Sequence, residues 1–576
     1  MRYEAEAATS TGPPTPGGVH MAKELFGVFG DVDAFRSLRD EAEFDIVVAG
    51  ETVTVGVRDG HIGHPGRTDV HRDEDGFCVI WGEAHATGDG GPAAELYEAY
   101  VEAGRDGLSV ANGSYVAVLE YDGRAFVATD AVRSWECFYV DAGGVRAFGT
   151  DLSTVVGVPA ALPIDGRAPF EFLHLGTVLG EKTLFEPVRR IPFDGYLAAD
   201  DVGEFRRFVY DPREFDYVSE LSERLWRAIQ RRRSFPDRKG ILLSAGQDSR
   251  SLLAGVPDIS HSYTVGWADS QEAAVAQRLA TQYGLAHEVL APDERYLDDR
   301  KVLYSQGLRE SLHIHHAGYD DAIDAETIYH GLLYDTLLKG YFLERDGADL
   351  FGTKVPFQAV DPDVDPVASL LDTLGYLPDG SARLVDCAGD LLREHGLDLD
   401  DAPGDPGAFL ADSLGAEFEA SKRRADSVHN AMDLLMVRNQ PTLSFRHHLA
   451  DNYVEAFVAA DTELLEWHRR TPPTHRHPET VHEALADLDD AIFRHRPPSH
   501  PRRSNILSQA ERFARRKLPL VQSVEPSWPD RTTVYEKYDL DRQLFPDDPA
   551  VWELPTRLKL RLDDLRWWLS VRERDP

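Results

Sequence analysis

Residues 241–253 read ILLSAGQDSRSLL: an apolar run ends in a short polar loop, and an apolar run resumes at once. A buried strand that turns tightly into a helix presents backbone N–H groups at the helix start, and the helix dipole favours negative charge there. Gly246 permits close approach of a ligand to the backbone, and Ser244, Ser249 and Ser251 add hydroxyl donors. Asp248 repels an anion unless a cation lies between them, and Mg²⁺ bridging phosphate oxygens meets that condition. The stretch by itself also admits an ordinary strand–helix turn with N-caps.

The elements that must hold this loop are legible around it. YVSELSERLWRAIQRRR (217–233) has the spacing of an amphipathic helix, GILLSAG (240–246) of a buried strand, and SRSLLAGV (249–256) of a helix start. HSYTVGW (261–267), SQEAAVAQRLATQYG (270–284) and LAHEVLAP (285–292) follow as strand, Gly-capped helix and strand. Such alternation predicts a parallel sheet with helices on both faces. Beyond residue 360 the pattern is largely helical, with acidic loops such as DPDVDP and DDAPGDPG, and HRPPSHPRRS (495–504) is expected to be an extended loop. The first half differs. ELFGVFG (24–30), GFCVIWGEA (76–84), GSYVAVLEYDGRAFVATDA (113–131), FYVDAGGVRAFGT (138–150) and GYLAADDVGEFRRFV (195–209) are short apolar or alternating runs joined by Asp-Gly and Gly-Gly turns. They predict antiparallel sheets, with AELYEAYVEAG (94–104) as a covering helix.

Composition narrows the function classes. The chain of 576 residues carries 99 acidic against 61 basic residues, a formal charge of −38 spread along its whole length. That excess opposes nonspecific binding to nucleic acid or anionic membrane and fits a halophilic cytoplasm, whose salt screens self-repulsion. Three cysteines, Cys78, Cys137 and Cys387, stand far apart, as expected of a reducing compartment without a disulfide framework. No apolar run reaches the length of a membrane span. Residues 1–20 lack the pattern of a secretion signal and read as a disordered Pro/Gly/Thr-rich extension, so Met1 and Met21 both remain acceptable starts. The partners expected are small molecules, with no membrane insertion and a homodimer admitted.

The loop Ser-x-Gly-x-Asp-Ser resembles the pyrophosphate loop of the N-type ATP pyrophosphatases, Ser-Gly-Gly-x-Asp-Ser, with Ala245 at the first Gly. Ala accepts most backbone geometries but not positive φ. SYTVGWADSQEAAVAQRLATQYGLAHEVL (262–290) is similar to the second strand and helix of asparagine synthetases. HGLLYDTLLKGY (330–341) resembles their Gly-x-Gly-x-Asp-Glu-Leu-x-x-Gly-Tyr element: Gly331, Asp335, Leu337, Gly340 and Tyr341 match, while Leu333 and Thr336 replace a Gly and a Glu. LADNYVEAF (449–457) looks like Phe-Leu-Asp-x-x-Leu-Val-Glu, and residues 112–156 and 176–197 are similar to the class II glutamine amidotransferase domain of the same family. The resemblance covers nearly the whole chain and fades in its C-terminal segment.

The resemblance implies an α+β N-terminal domain of stacked antiparallel sheets, Ntn-hydrolase-like, over 21–215. An α/β domain of the adenine-nucleotide α-hydrolase (PP-loop) kind, with a helical C-terminal part, is implied over 216–576. It implies ATP-dependent activation of a carboxylate: an acyl-adenylate and pyrophosphate form, and ammonia or an amine then displaces AMP. Ser244, Ala245, Gly246, Gln247, Asp248 and Ser249 would cradle the pyrophosphate, Asp248 and Asp335 would hold Mg²⁺, and Leu243, Val265 and Gly266 would flank the adenosine. Arg250 would add charge to the loop or sit exposed on its helix. His330 and Gly331 would line the nucleotide, Gly340 and Tyr341 the substrate side, and His287 is expected to be a core or capping histidine. The family's late lysine, in an Arg-x-Lys pattern, has its nearest counterpart in IFRHRPP, with Arg494 and Arg496; Lys339 is the other supplier of that charge, although Arg and Lys differ in geometry.

The amidotransferase half lacks the family's chemistry. Its nucleophile is an N-terminal cysteine with its own α-amino group as base, whereas the first strand here is MAKELFGVFG, and removal of residues 1–20 would expose Met21 or Ala22. Trp81 stands in the Asn place of the oxyanion-hole Asn-Gly pair, before Gly82, and Cys78 reads as a core residue of an alternating strand. No glutaminase nucleophile is expected, so the donor is free ammonia, an amine, or ammonia delivered by another protein. Two other readings stand beside the ligase: an amide-forming enzyme of a specialised pathway, such as cell-surface glycan modification or a β-lactam-synthetase-like cyclisation, and a nucleotide-binding pseudoenzyme that regulates or scaffolds a partner.

Overall fold

The computed structural model describes residues 20–88, 90–236, 238–293, 295, 298, 300–349, 354–378, 382–397, 403–497 and 531–573. Residues 1–19 of the expected N-terminal extension and residues 498–504 of the expected extended loop lie outside them.

The first half folds as two six-stranded antiparallel sheets. In one, Glu24–Phe29 lies centrally between Val145–Gly149 and Thr54–Arg58; in the other, Gly76–His85 pairs with Asn112–Tyr121 over ten residues. Strand alternation explains the packing. Phe77, Val79 and Trp81 join Leu25, Phe26, Val28 and Phe148 of the first sheet in one buried cluster. Cys78 and Ile80 face the other way, against Leu96 and Tyr97 of helix Pro92–Ala103. Asp122 (φ 49°) and Gly123 (φ 66°) make the turn between strands 112–121 and 124–129, the φ > 0 pair that tight hairpins require. Strands Ile46–Ala49, Thr54–Arg58 and Asp69–Arg72 were not singled out in sequence; they are four or five residues long, too short for an alternation to register, and Asp69–Arg72 is mostly polar.

The second half contains a five-stranded, all-parallel sheet, ordered Ala286–Leu290, Ile259–Val265, Lys239–Leu242, Thr327–Tyr329, Val454–Ala456. Helix Gln271–Tyr283 is set by sequence at both ends: the Ser270 hydroxyl accepts from the Ala273 amide, and Gly284 closes it at φ 76°, the N-cap and left-handed C-cap arrangement. Helix Asp248–Gly255 follows the central strand directly. Chain order reverses between Lys239–Leu242 and Thr327–Tyr329, so the carboxyl ends of these two neighbours form the topological switch point where open α/β sheets bind ligands.

The halves share packing. The sandwich core continues into Leu308, Leu558, Leu565 and Trp568, and buried Arg232 joins Glu83 (2.5 Å) to Asp461 (2.9 Å). Among the described residues no helix is long and apolar enough to cross a membrane.

Candidate functional site

The loop after the central strand is held from below by its neighbours. The Leu243 amide donates to Tyr263 O (2.8 Å), and the Thr264 hydroxyl donates to Leu243 O (2.5 Å). The Ala245 amide donates to the buried Glu272 carboxylate (2.5 Å), and the Gly246 amide to Ser244 Oγ (3.1 Å). Neither Ala245 nor Gly246 has positive φ, so Ala replaces glycine here without backbone strain. A Cβ on Gly246 would meet only Ser244 Oγ, at 3.0 Å. The helix that follows has Gln247 at its N-cap without a side-chain cap; the Arg250 amide turns back to Gln247 O (3.2 Å). The pinning of the loop by Glu272 emerges only from the fold.

Gly331 brings the second loop against the first: a Cβ there would lie 2.6 Å from Asp248 Cβ and 3.0 Å from the Ser249 amide nitrogen. Leu333, standing where the resembling motif has Gly, adopts φ 69°, ψ 0°, the left-handed region that glycine occupies at no steric cost. Helix Tyr334–Leu337 then presents Asp335, and Lys339 places its ammonium 2.5 Å from Asp248 Oδ1 and 2.8 Å from Asp335 Oδ1. Burial, opposed by the Lys339 charge and reinforced by Asp335, pushes the Asp248 carboxyl up to about 6. Burial disfavours the lysine charge as well, but two carboxylates at contact distance hold Lys339 protonated above its usual range.

The remaining expected residues divide. Val265 ends its strand buried and Gly266 follows with open space above it, its nearest neighbour to an added Cβ being Ser270 Oγ at 3.9 Å. Gly340 has φ 58° and abuts Arg476 O, and Tyr341 next to it is exposed. His330 is buried and bonded through Nε2 to Glu455 (2.7 Å), which also pairs with Arg446. His287 lies near the amino end of its strand, bonded to Ser262 Oγ (3.0 Å), away from the switch point. Arg250 is fully buried, not exposed on its helix. It donates to Gly246 O (2.8 Å), Ala245 O (2.7 Å), Ile492 O (2.8 Å) and His495 O, so its guanidinium braces the loop and ties segment 492–495 to it. Arg494 and Arg496 are exposed on that segment. Gln247 Nε2 lies 3.3 Å from His482 Nδ1 on helix Pro478–Leu488, a contact without a sequence signal. A cavity of about 370 Å³, lined by Tyr217, His475 and Glu483 among others, includes none of these residues.

Asp248 and Asp335 suit Mg²⁺ bound together with phosphate oxygens, for which one or two protein carboxylates suffice. Asp248 Oδ1 is already paired with a cation, the Lys339 ammonium, which a bound metal ion would displace. The described residues contain no cluster of three or more His, Cys, Asp or Glu that holds a metal by itself.

The corresponding region of the first half is closed. The Met21 amide donates to Asp151 (2.8 Å), and the Ala22 and Lys23 amides to Asp451 (3.0 and 2.7 Å). Trp81 is buried edge-to-face on Trp135 at 4.5 Å, and Trp135 stacks on His447 at 5.5 Å. Cys78 is fully buried, and burial drives its thiol above the usual range, the state of an inert structural cysteine.

No family model matches the chain, and no curated protein matches it. Among solved structures, the glutamine phosphoribosylpyrophosphate (PRPP) amidotransferase from B. subtilis complexed with ADP and GMP is similar over 47% of this chain and 60% of its own, at 10% identity and TM-score 0.18. A structure of the allosteric regulatory enzyme of purine biosynthesis is similar over 56% of this chain and 70% of its own, at 11% identity and TM-score 0.21. The chain thus spans 60% of the length of the first of these. Overlaps this low carry no argument about fold or function.

Proposed function

We propose that the protein is an asparagine-synthetase-like, ATP-dependent amide ligase that adenylates a carboxylate and passes ammonia or an amine to it, without a glutaminase of its own. One observation carries the reading: Asp248, Asp335 and Lys339 meet at the carboxyl ends of parallel strands, at the switch point, beside a helix start without a side-chain cap. In this reading the Gln247 and Asp248 region receives the pyrophosphate of ATP, with adenosine over Val265 and Gly266. The acceptor carboxylate enters past Gly340 and Tyr341. Mg²⁺, when bound by Asp248 and Asp335, neutralises phosphate charge. Lys339 already lies between the two carboxylates; turning from them, it delivers positive charge to the leaving pyrophosphate, the electrostatic help such a step requires. Arg496, on the segment anchored by Arg250, is the second candidate for that role. The buried Trp81 and Cys78 and the bonded Met21 amide leave glutamine hydrolysis without a nucleophile, so nitrogen arrives from outside the first half.

A second reading rests on the same lysine. An ammonium clamped by Asp248 and Asp335 occupies the place of a cation, which favours a nucleotide-binding protein without turnover. Pyrophosphate release from ATP with Mg²⁺, ammonia and a panel of carboxylates, at molar KCl to suit the acidic surface, separates the two. Release that depends on one acid supports the ligase; nucleotide binding with no release under any acid supports the second reading and ends the first.

A further inference from the structure

A buried guanidinium underlies the loop. Arg250 is fully buried, and its contacts are main-chain oxygens. Nε donates to Gly246 O (2.8 Å), Nη2 to Ala245 O (2.7 Å), and Nη1 to Ile492 O (2.8 Å) and to His495 O. Carbonyls satisfy its N–H groups but leave its charge without a bonded counter-ion, and a buried charge in that state is costly. Burial pushes the guanidinium down to about 10, against the pull of Glu272 and Tyr283. A trans peptide points its C=O and N–H in opposite directions, and every described peptide bond is trans. Because Arg250 holds Gly246 O, the Gln247 N–H of the same peptide is aimed away from the guanidinium. Among the described residues no group accepts from that amide. Ala245 O is held in the same way, and the Gly246 N–H of its peptide turns to Ser244 Oγ (3.1 Å). Two carbonyl oxygens that would repel an anion are thus drawn off it, and one amide is left to receive it.

The other acceptors of Arg250 lie 242 and 245 positions away in sequence. Helix Gln271–Tyr283 is fastened to both places. Glu272 in its first turn accepts from the Ala245 amide (2.5 Å), Gln282 Nε2 donates to Ala491 O (2.8 Å), and the Tyr283 hydroxyl donates to Asp489 (3.3 Å). Loop, helix and segment 489–495 therefore close a ring, with Arg250 as a direct link between loop and segment. We infer that Arg250 is a positioning residue for phosphate binding: the docked carbonyls of residues 492 and 495 hold its guanidinium against the loop, where it turns the Gln247 amide toward the anion and supplies a charge that the anion neutralises. Arg250 acts through the Gly246–Gln247 peptide and through its field, and the affinity of the loop for phosphate is tied to a segment remote in sequence. The inference rests on the proposed reading for the identity of the anion, the pyrophosphate part of ATP.

Calorimetric titration with Mg²⁺-pyrophosphate, and separately with adenosine, compares the wild-type protein with Arg250→Met, Arg250→Lys and Gln282→Leu. Arg250→Met keeps the bulk and removes the charge and its hydrogen bonds. It is expected to weaken pyrophosphate binding about 10- to 100-fold, the range for hydrogen bonds to a charged group, while adenosine, assigned to Val265 and Gly266, binds as before. Arg250→Lys restores the charge without the fork and recovers part of the loss. Gln282→Leu loosens residues 489–495 and leaves Arg250 in place; it should weaken pyrophosphate binding about two- to tenfold, as the loss of one neutral hydrogen bond does. Amide exchange across 489–495 should quicken in Arg250→Met and in Gln282→Leu. Unchanged pyrophosphate affinity in a folded Arg250→Met overturns the inference and leaves the ligase reading standing. An equal fall in pyrophosphate and adenosine binding makes Arg250 a structural brace alone and overturns it as well. If Arg250→Met does not fold, wild-type pyrophosphate affinity in both Arg250→Lys and Gln282→Leu overturns it. A wild-type protein that takes up no Mg²⁺-pyrophosphate ends the nucleotide reading, and the inference with it.

Discussion

Trp81 lies midway along strand Gly76–His85 and Asp248 just past the end of a parallel strand, and the two places end in opposite conditions. At the first, aromatic rings interlock, the amides of Met21, Ala22 and Lys23 are spent on buried carboxylates, and the thiol of Cys78 is sealed in a core. At the second, a buried carboxyl is held up at about 6, a lysine is shared by two acids, and a leucine sits at φ 69°. Strain and unsatisfied charge persist only where surrounding structure enforces them. Perturbed groups gather where chemistry is done, although buried ion-pair networks such as Glu136 with Arg190 and Arg309 perturb them as well. On the proposed reading, the sandwich serves as scaffold and the switch point as the working site.

The strongest way to break that contrast is to remove the charge at its functional end. Asp248→Asn is expected to lower pyrophosphate release by about 10²–10³-fold, the range for losing one preorganised electrostatic group in a closed site. Circular dichroism should show an unchanged fold. Near-normal release would remove Asp248 from the metal and phosphate assignment. At the scaffolding end, Trp81→Ala is expected to cost about 3–5 kcal/mol of stability, as large-to-small changes at fully buried aromatic positions do, read by denaturant titration. Trp81→Asn restores the Asn-Gly pair of a glutaminase yet supplies no thiol. Neither it nor the wild type should release glutamate from glutamine, and release that stops in Cys78→Ala would reverse the comparison.

Much of this contrast is legible in the chain before it folds. The Asp-Gly and Gly-Gly hairpins, the Ser270 and Gly284 caps and the strand–helix alternation are local, and each is found where its residues put it. The proximity of Asp248 to Asp335 follows from the strand order, which alternation implies but does not specify. Arg250 shows the limit: an arginine after a polar loop reads either as charge added to the loop or as an exposed helix residue, and only the arrival of carbonyls from residues 492 and 495 makes it a buried brace. Glu272, His482 and Arg476 act through partners hundreds of positions away or through backbone atoms, and nothing in their immediate sequence marks them. Strand Thr327–Tyr329 is three residues long, too short for any period to register.

Acidity sharpens the comparison more gently. The Asp248 carboxyl is raised by burial from the ordinary carboxylate range to about 6. Between those two values the native state binds a proton that the unfolded chain has lost, so this group's contribution to stability falls as pH rises through the window. Above about 6 the buried charge is a standing cost. Asp248→Asn should therefore raise the melting temperature at pH 7.5, by about 2 °C for each kcal/mol recovered, and the gain should shrink at pH 4.5. Catalysis runs the other way, since the ionised carboxylate is the form that serves a cation, and release should fall as pH drops through about 6. A melting temperature lowered by Asp248→Asn at pH 7.5 would mean that the Lys339 contact outweighs burial.

The smallest effect is expected at Leu333. Its left-handed backbone costs about 1–2 kcal/mol relative to glycine, so Leu333→Gly should stabilise if backbone geometry alone mattered. The side chain, however, is buried in the core beneath the switch point, against Tyr334, Leu337 and their neighbours, and burying a leucine is worth about 1.5–3 kcal/mol. The two terms nearly cancel, with burial slightly ahead, and the net loss should be about 1 kcal/mol by denaturant titration. Leu333→Ala loses the burial and keeps the strain, so it should be the less stable of the pair. If Leu333→Ala proves the more stable variant, the left-handed conformation at 333 is not enforced by the loop around it, and the switch point loses one of its marks of a built site.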